Sequence, residues 1–385
     1  MNWKTVPLGD LCEVLDSKRK PISKRNRTEG IYPYYGATGI VDYLNDYIFD
    51  DKLVLIGEDG AKWGSGDMTA FIAQGKYWVN NHAHVLKPFE NVLLDEWLVY
   101  YFYYKDLKEY VSGLTVPKLN QGQLKLIPIP LPSILTQKKI VEKINAIFIE
   151  IDKAITATQA NIKNSEALFD SGLELFLNAQ RDGWIENIKP LSELCELIVD
   201  CEHKTAPTQS DGFPSIRTPN IGKGKLLLDN VYRVSEETYT EWTKRAQPRA
   251  GDLILAREAP AGNVAVIPEN IKVCLGQRTV LIRPRPDIFM PNFLAFMLLQ
   301  PNIQAKLLAH SRGATVQHVN MKDIRALNIG SIPPLLVQRK IISYIQTIDN
   351  EAEILQASYK QKLIALSKLK NSILRQAFNG ELVKD

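Results

Sequence analysis

The chain has 385 residues, of which 45% are hydrophobic and 23% charged, a composition typical of a folded globular protein with more than one domain. Its net charge of +4 comes from 47 basic and 43 acidic residues, so any nucleic-acid contact must be confined to a local surface. The four cysteines have no zinc-site spacing, and no apolar run reaches the length of about 18 residues that a membrane helix needs. We therefore expect a cytoplasmic protein with reduced thiols and no membrane association.

The first 130 residues contain short apolar runs separated by Gly, Asn and Asp. Examples are KLVLIG (52–57) and YWVNNHAHVL (77–86), which predict strands joined by turns. DEWLVYYFYYKDLKEYV (95–111) interrupts them and predicts a helix. Residues 1–130 are thus predicted to form a mixed, mostly strand-built domain.

Residues 131–183 follow a different pattern, with apolar side chains at alternating steps of three and four. Ile140, Ile144, Ile147 and Ile151 form this seam, which predicts a long α-helix that pairs with another helix. A rod of this kind, about 60 to 65 Å long at about 1.5 Å per residue, cannot be buried inside one domain.

The second half of the chain repeats the first in the same block order. LPSILTQKKIVEKINAI (131–147) returns as IPPLLVQRKIISYIQTI (332–348), so that Gln137 and Gln338 lie 201 residues apart. VPLGDLCEVLDSKRKP (6–21) likewise resembles KPLSELCELIVDCEHKTAP (189–207). The repeat is far longer than a solenoid unit and indicates a tandem duplication of a domain plus a helix.

The duplication extends the predicted architecture to the C-terminus. Residues 184–331 form a second strand-built domain and residues 332–385 a second helix, whose seam contains Ile341, Ile345, Ile348 and Leu355. The fold class is therefore α+β. We predict that the two helices pair as an antiparallel coiled coil, because this direction puts the two domains at opposite ends.

Recognisable catalytic motifs are missing from the sequence. It contains no GxxxxGK[ST] phosphate loop, no GxGxxG, no HExxH, no GxSxG and no Asn-Pro-Pro-aromatic methylation motif. His82 and His84 form an HxH pair without a third ligand nearby, so we interpret them as strand or loop residues. We predict no catalytic site, no metal and no cofactor.

Basic and amide side chains recur in corresponding loops of the two halves. Arg and Lys suit phosphate contacts, and Arg, Asn and Gln also suit base edges, so the recurrence predicts DNA contacts. The candidates in the first half are Lys18, Arg19, Lys20, Lys24, Arg25, Arg27, Lys62, Trp63, Asn80, Asn81, His82, His84, Lys118, Asn120 and Gln121. Those in the second half are His203, Lys204, Arg217, Arg257, Gln277, Arg278, Gln317, His318, Asn320 and Lys322.

Prolines, a Gln and an Ile-rich helix form the most distinctive repeated pattern, seen in IPIPLPSILTQKKIVEKI (127–144) and GSIPPLLVQRKIISYI (330–345). Together with the closing QAFNGEL (376–382), this pattern resembles the specificity subunit of type I restriction-modification systems. The resemblance covers essentially the whole chain.

The resemblance implies two target-recognition domains, each of which reads one half of a bipartite, gapped target in double-stranded DNA, while the paired helices fix the gap. It also implies that two methyltransferase subunits dock on the helices, that translocating nuclease (restriction) subunits join them, and that this subunit catalyses nothing. Two alternatives stay open at this point. The chain could be the recognition part of a fused restriction enzyme, or a helical scaffold that does not contact DNA.

Overall fold

A computed structural model describes residues 3–113, 115–178, 183–309 and 318–382. The chain divides into two compact units: unit 1 comprises Met1–Ala160 and Tyr359–Asp385, and unit 2 comprises Asn161–Ser358. In the described ranges no helix has the length and apolarity needed to cross a membrane. All four cysteines are buried with free thiols.

Unit 1 begins with a strand-rich part that contains two short helices. Its elements are β1 (Thr5–Pro7), β2 (Cys12–Val14), β3 (Glu29–Gly36), β4 (Gly39–Leu44), β5 (Phe49–Asp50), β6 (Leu53–Gly57), β7 (Ala70–Ala73), β8 (Lys76–Val79), β9 (Ala83–Pro88), α1 (Asp95–Tyr104), α2 (Gln121–Leu126) and β10 (Pro128–Pro130).

The sheets of unit 1 meet across strand β6. An antiparallel sheet has the order β2-β9-β6-β7, and a second sheet has the order β4-β3-β8-β5 with β3 and β8 parallel. Val54 and Ile56 of β6 face the core that α1 covers, whereas Leu53 and Leu55 face a core shared with the second sheet. Because both faces are covered, β6 is a continuous apolar run rather than an alternating one.

Unit 2 repeats this arrangement. Its elements outside the long helices are α4 (Leu191–Leu194), β11 (Cys195–Asp200), β12 (Phe213–Ile216), β13 (Gly224–Lys225), β14 (Arg233–Val234), α5 (Glu236–Trp242), β15 (Leu253–Ala256), β16 (Val264–Val266), β17 (Cys274–Leu275), β18 (Thr279–Pro284), α6 (Pro291–Leu299), α7 (Pro301–Leu308) and α8 (Met321–Ala326).

The sheet order of unit 2 shows which strands correspond. The order β11-β18-β15-β16 matches β2-β9-β6-β7, and the parallel pair β12 and β17 matches β3 and β8. In the ladders, Gly57 pairs with Ala83 and Ala256 pairs with Thr279. The position after β6, Glu58, therefore corresponds to Arg257 after β15, and Asp59 corresponds to Glu258.

Two long helices, α3 (Ile134–Asn178) and α9 (Leu335–Phe378), contribute to both units. In unit 1 the early part of α3 meets the late part of α9, where Lys370 Nζ lies 2.5 Å from Asp152 Oδ1. In unit 2 the late part of α3 meets the early part of α9, where the rings of Phe176 and Tyr344 stack 5.1 Å apart. Residue numbers rise along one helix as they fall along the other, so the pairing is antiparallel.

Most of the predicted seam residues are buried or partly buried where α3 and α9 pack. Ile140, Ile144 and Ile151 are buried in unit 1 with Leu374 and Phe378 of α9. Ile341 and Ile345 are buried in unit 2, and Ile147 and Ile348 are partly buried. Leu355 is 39% exposed, because the seam there runs through Ala352, which is 3% exposed.

The repeated glutamine joins each long helix to its strand-built domain. The Gln137 side chain is fully buried; its Oε1 accepts from the Leu94 amide at 2.9 Å, and its Nε2 donates to the carbonyls of Val92 and Pro132. Gln338 makes the same bonds to Met290, Ile288 and Pro333. Each glutamine thus satisfies three backbone groups where the chain turns into α3 or α9.

We predict that Gln137→Ala lowers the free energy of unfolding by about 2–4 kcal/mol, because a buried amide and two carbonyls lose their partner. Urea unfolding of the full chain measures this loss. Lys138→Ala, at the exposed neighbouring position, should change stability by less than about 0.5 kcal/mol. Equal losses in the two variants would contradict the role of Gln137.

Candidate nucleic-acid interface

The candidate loops of unit 1 meet at one edge of the β2-β9-β6-β7 sheet. Because these strands are antiparallel, the ends of β2 and β6 and the start of β9 share this edge. The Glu58 amide donates to the His82 carbonyl at 2.8 Å, and the Leu119 amide donates to the Glu58 carbonyl at 2.7 Å. The loop that follows β2 joins through the Lys20 amide and the Val79 carbonyl, 3.3 Å apart. We call this surface the loop edge of unit 1.

Beneath this edge lies a sheltered polar layer. The His84 ring is fully buried; its Nδ1 lies 2.6 Å from Asp16 Oδ2 and its Nε2 lies 2.6 Å from the Leu119 carbonyl. Arg19 donates to Glu58 at 2.5 Å and to the Ala83 carbonyl at 2.8 Å. This layer ties β2, β6, β9 and the start of α2 together.

Charges in the layer shift the acidity of its carboxyl groups. Burial raises the pKa of Asp16, but its hydrogen bonds and charge interactions, above all with His84, outweigh burial and leave the pKa below the ordinary value. Burial likewise raises the pKa of Glu58, and hydrogen bonds from Lys118 and Arg19 outweigh it, so this pKa is also lowered. Both groups are therefore carboxylates at neutral pH.

Asp16, Glu58 and His84 bring potential metal-ligand atoms within 4.8 Å of one another. Both ring nitrogens of His84 are already hydrogen-bonded, and Arg19 and Lys118 neutralise the carboxylates. A metal ion would have to displace two cations and break the contacts that position His84. The donor set therefore does not fit a metal centre.

Unit 2 builds the same layer from different residues. Arg257 donates to Asp200 at 2.7 Å and to the Val319 carbonyl at 2.8 Å. Arg257 thus bridges the carboxylate at the end of β11 and the carbonyl before α8, and His84 makes the corresponding two contacts in unit 1. The bridging group comes from the end of β15 rather than from the strand that corresponds to β9.

Above this layer each unit carries a second carboxylate with basic partners. In unit 1, Asp59 Oδ1 lies 2.5 Å from His82 Nδ1. In unit 2, Glu258 lies 2.5 Å from Arg278 Nη1 and 2.6 Å from His318 Nδ1. Lys118 pairs mainly with Glu58, at 2.9 Å, and the hydrogen bond to Glu58 raises the pKa of Lys118.

Many of the predicted contact residues lie on the surface. Among the described residues, several exposed cations form no ion pair, and Arg217 stacks over the Tyr232 ring at 4.3 Å. These unpaired cations are Lys18, Lys20, Lys24, Arg25 and Lys62 in unit 1, and Lys204, Arg217 and Lys322 in unit 2. Asn81, Asn120, Gln121 and Asn320 are exposed amides, Gln277 is half-buried, and the His203 ring is exposed beside Asp200.

Other predicted residues are placed inside the fold or near its surface in fixed contacts. Arg19, His84 and Arg257 belong to the polar layer. Trp63 is buried and donates to the Gly57 carbonyl at 3.2 Å, and buried Asn80 accepts from the His82 amide. These five side chains position loops rather than face solvent. Arg27 is half-buried against Tyr34 and Asp42, and Gln317 lies outside the described residues.

The acidic residues of the site were missed by the sequence reasoning. Asp16, Glu58 and Asp59 in unit 1, and Asp200 and Glu258 in unit 2, hold every cation of the paired clusters. A signal was available, because VLDSKRK and IVDCEHK place an Asp at the corresponding position of both copies, shortly after β2 and at the last residue of β11.

Comparison with known proteins gives matches along nearly the whole chain. The model of the type I restriction modification DNA specificity domain matches residues 1–164 and again 186–363. A putative type I restriction enzyme specificity subunit from Haemophilus influenzae is 25% identical over 360 residues, which cover 91% of this chain and 88% of that one.

Solved structures show the same fold. A chain from a study of complex assembly and conformational transition of the type I R-M system aligns with a TM-score of 0.72 and 20% identity, over 99% of this chain and 98% of that one. The HsdS subunit from Thermoanaerobacter tengcongensis aligns with a TM-score of 0.54 and 19% identity, over 99% and 97% of the two chains. The predicted fold class, two mixed domains each followed by a long helix, is confirmed.

We predict that Asp16→Asn lowers the free energy of unfolding at pH 7 by about 2–4 kcal/mol, because His84 and Arg19 lose a sheltered carboxylate. Since the folded pKa of Asp16 lies below the ordinary 3.8, its contribution is present above that value and is lost as pH falls through the folded pKa. The stability difference between the two proteins should therefore be constant from pH 7 to about pH 4 and shrink as the pH falls below 3.8, which unfolding curves measured from pH 7 down to about pH 2 would show. Glu29→Gln, at an exposed position, is the control, and a stability difference between Asp16→Asn and wild type that does not shrink below pH 3.8 would refute the assignment.

Proposed function

The chain belongs to the type I restriction modification DNA specificity domain family, and on that premise we propose that it is the DNA-recognition subunit of a type I restriction-modification complex. Each unit reads one half of a bipartite, gapped target in double-stranded DNA. In unit 2 the loops after β11 and β15 and before β18 and α8 form the corresponding loop edge, where the Arg257 amide donates to the Arg278 carbonyl and the Val319 amide to the Arg257 carbonyl. The observation that carries the proposal is that both loop edges have a sheltered polar layer and exposed cations. With DNA as the ligand, the chain acts in the cytoplasm.

The exposed, unpaired cations of the loop edges suit the phosphate backbone. A lysine without a carboxylate partner keeps its full charge and its freedom to follow the phosphates. In unit 1, Lys20, Lys24 and Arg25 lie on a loop whose backbone is bonded to the end of β8. These residues are proposed to supply affinity that does not depend on sequence.

The two long helices are proposed to set the gap between the half-sites. α3 has 45 residues and α9 has 44, so each is about 65 Å long at about 1.5 Å per residue. This length corresponds to about two turns of B-DNA at about 34 to 36 Å per turn. Two modest readers held at a fixed spacing add their binding energies and reject targets with another spacing.

The partners proposed for the helices are two methyltransferase subunits, which are joined by restriction subunits that translocate and cut DNA. In unit 1, a shallow groove of about 440 Å³ is lined by Ala146, Ile147, Ile151, Ala154 and Leu366 together with one glutamate. A surface of this kind suits an apolar partner face. We propose that the chain itself contributes recognition and no catalytic step, since the carboxylates of its polar layer are already neutralised by Arg19 and Lys118.

We predict that replacing Lys20, Lys24 and Arg25 by Ala reduces the salt dependence of binding to random-sequence duplex DNA. Each lost phosphate contact lowers the slope of log K against log salt by about 0.9, so three contacts lower it by about 2 to 3. Fluorescence anisotropy at several salt concentrations measures the slope. A control in which Lys360, Lys362 and Lys368 of α9 become Ala removes the same charge and should leave the slope unchanged. Wild-type binding without salt dependence would eliminate the DNA-binding proposal.

We also predict that one helical turn inserted into both helices lengthens the preferred gap and leaves both half-sequences unchanged. Four residues placed after Ala160 and after Tyr359 add about 6 Å, the length of one to two base pairs. Selection from random duplex DNA, followed by sequencing, measures the gap. Four residues inserted after Gly183, outside the helices, are the control. An unchanged gap in the helix variant would exclude the proposal that the helix length sets the gap.

A further inference from the structure

Two carboxylates at corresponding positions of the two units, Asp59 and Glu258, each hold a basic side chain, and the two basic side chains differ in type. Asp59 is the second residue after β6 and Glu258 the second after β15, and the strand registers make them equivalent. Asp59 holds His82, which lies just before β9, and Glu258 holds Arg278, which lies just before β18. Backbone hydrogen bonds support the same correspondence, because the His82 carbonyl accepts from the Glu58 amide and the Arg278 carbonyl accepts from the Arg257 amide, each at 2.8 Å. His82 and Arg278 therefore occupy one structural position.

The two carboxylates are mostly buried, whereas the basic side chains that they hold are exposed. The side chains of Asp59 and Glu258 are 19% and 14% exposed, whereas those of His82 and Arg278 are 52% and 61% exposed. A sheltered acceptor fixes the direction of an exposed donor, so less side-chain freedom is lost when a ligand binds. In unit 2, the Glu258 carboxylate also offsets the charge of Arg278, which weakens unspecific attraction to phosphates. Oriented donors with reduced net charge suit base edges better than phosphates.

The free atoms of the two side chains differ in chemistry. A carboxylate only accepts, so Nδ1 of His82 donates to Asp59, and among the described residues Nε2 has no partner and is left for one hydrogen bond. Arg278 Nη1 lies 2.5 Å from a carboxylate oxygen of Glu258, so the guanidinium keeps a planar pair of donors that matches O6 and N7 of guanine. The neighbouring His318 has no free ring nitrogen, because Nε2 lies 2.8 Å from Arg257 Nη2 and Nδ1 lies 2.6 Å from Glu258.

The backbone at Arg278 gives an independent indication. Its φ is 66°, in the left-handed region that favours glycine, yet a large charged residue stands there. A residue kept in such a conformation despite its cost points to a functional side chain. Arg285 follows the other end of β18 and provides a comparison, since it is exposed and is absent from the residues with positive φ.

We propose that His82 and Arg278 are equivalent specificity-determining residues, one for each half-site, with Asp59 and Glu258 as their positioning residues. Arg278 contacts a guanine in the half-site of unit 2, and His82 makes a single base contact in the half-site of unit 1. This inference rests on the proposed function and adds to it which position of each unit reads a base.

The test is selection of bound duplexes from a library with 30 random base pairs, using the full-length chain and its variants. Wild type should enrich two half-sequences, one of which contains a guanine. Arg278→Gly should reduce the enrichment of that guanine by about 10-fold or more and leave the other half unchanged. His82→Ala should relax one position in the other half only. Glu258→Gln and Asp59→Asn should weaken the same positions as their partners, and Arg285→Ala should change neither half.

Stability measurements distinguish a loss of base recognition from a loss of folding in these variants. Glycine tolerates the left-handed backbone, so Arg278→Gly should keep or raise the Tm while the guanine preference falls. A lower Tm together with loss of both half-sequences would overturn the inference, because Arg278 would then be structural. Two half-sequences that are unaffected by Arg278→Gly and His82→Ala would overturn it and leave the proposed function standing. A wild-type chain that enriches no sequence would remove the proposed function itself.

Discussion

The antiparallel pairing of α3 and α9 is the constraint on which both units depend. Each helix carries an apolar seam that its own strand-built domain covers only in part, so it must lie along the other helix. As a result, unit 1 contains residues from both ends of the chain. Phe378, near the end of α9, packs its ring 4.7 Å from that of Trp97 and 5.2 Å from that of Tyr101. The core of the first domain is therefore complete only after the last helix has been made.

The two units also show how a duplicated core diverges without losing its pairing of charges. In both, one basic side chain links a carboxylate, Asp16 or Asp200, to a backbone carbonyl. Unit 1 uses His84 with a carboxylate at position 58, whereas unit 2 has Arg257 at the equivalent position and apolar Val280 in the strand that matches β9. Exchanging one of these residues alone would leave a sheltered charge without a partner, which costs several kcal/mol. Divergence at this layer therefore requires paired changes.

The sequence predicted the repeated features of the fold and missed those that depend on the direction of single side chains. Periodic seams and matching blocks were enough to predict two strand-built domains and two paired helices, because periodicity and order survive without atomic detail. The antiparallel direction needed the further expectation that the two domains lie at opposite ends. Residue type did not separate Arg19, which enters the polar layer, from Lys20, which faces solvent one position later. His82 and His84 likewise differ because β9 begins between them. The residue at which a strand or loop begins decides such cases, and residue type alone does not determine it.

Under the proposed function, the unpaired cations and the carboxylate-held side chains of the loop edges make different contributions to DNA binding. Unpaired lysines contribute long-range attraction that tolerates any sequence, and they can move or change in number at little cost to folding. His82 and Arg278 contribute hydrogen-bond donors of fixed direction, because Asp59 and Glu258, which hold them, are mostly buried above the polar layer. Because Asp59 also lies near Lys118 and Glu258 also contacts His318, an exposed residue such as His82 or Arg278 can be replaced without leaving either carboxylate without a basic neighbour. Each unit can therefore change its half of the target independently, while the helix pair preserves the spacing between the halves.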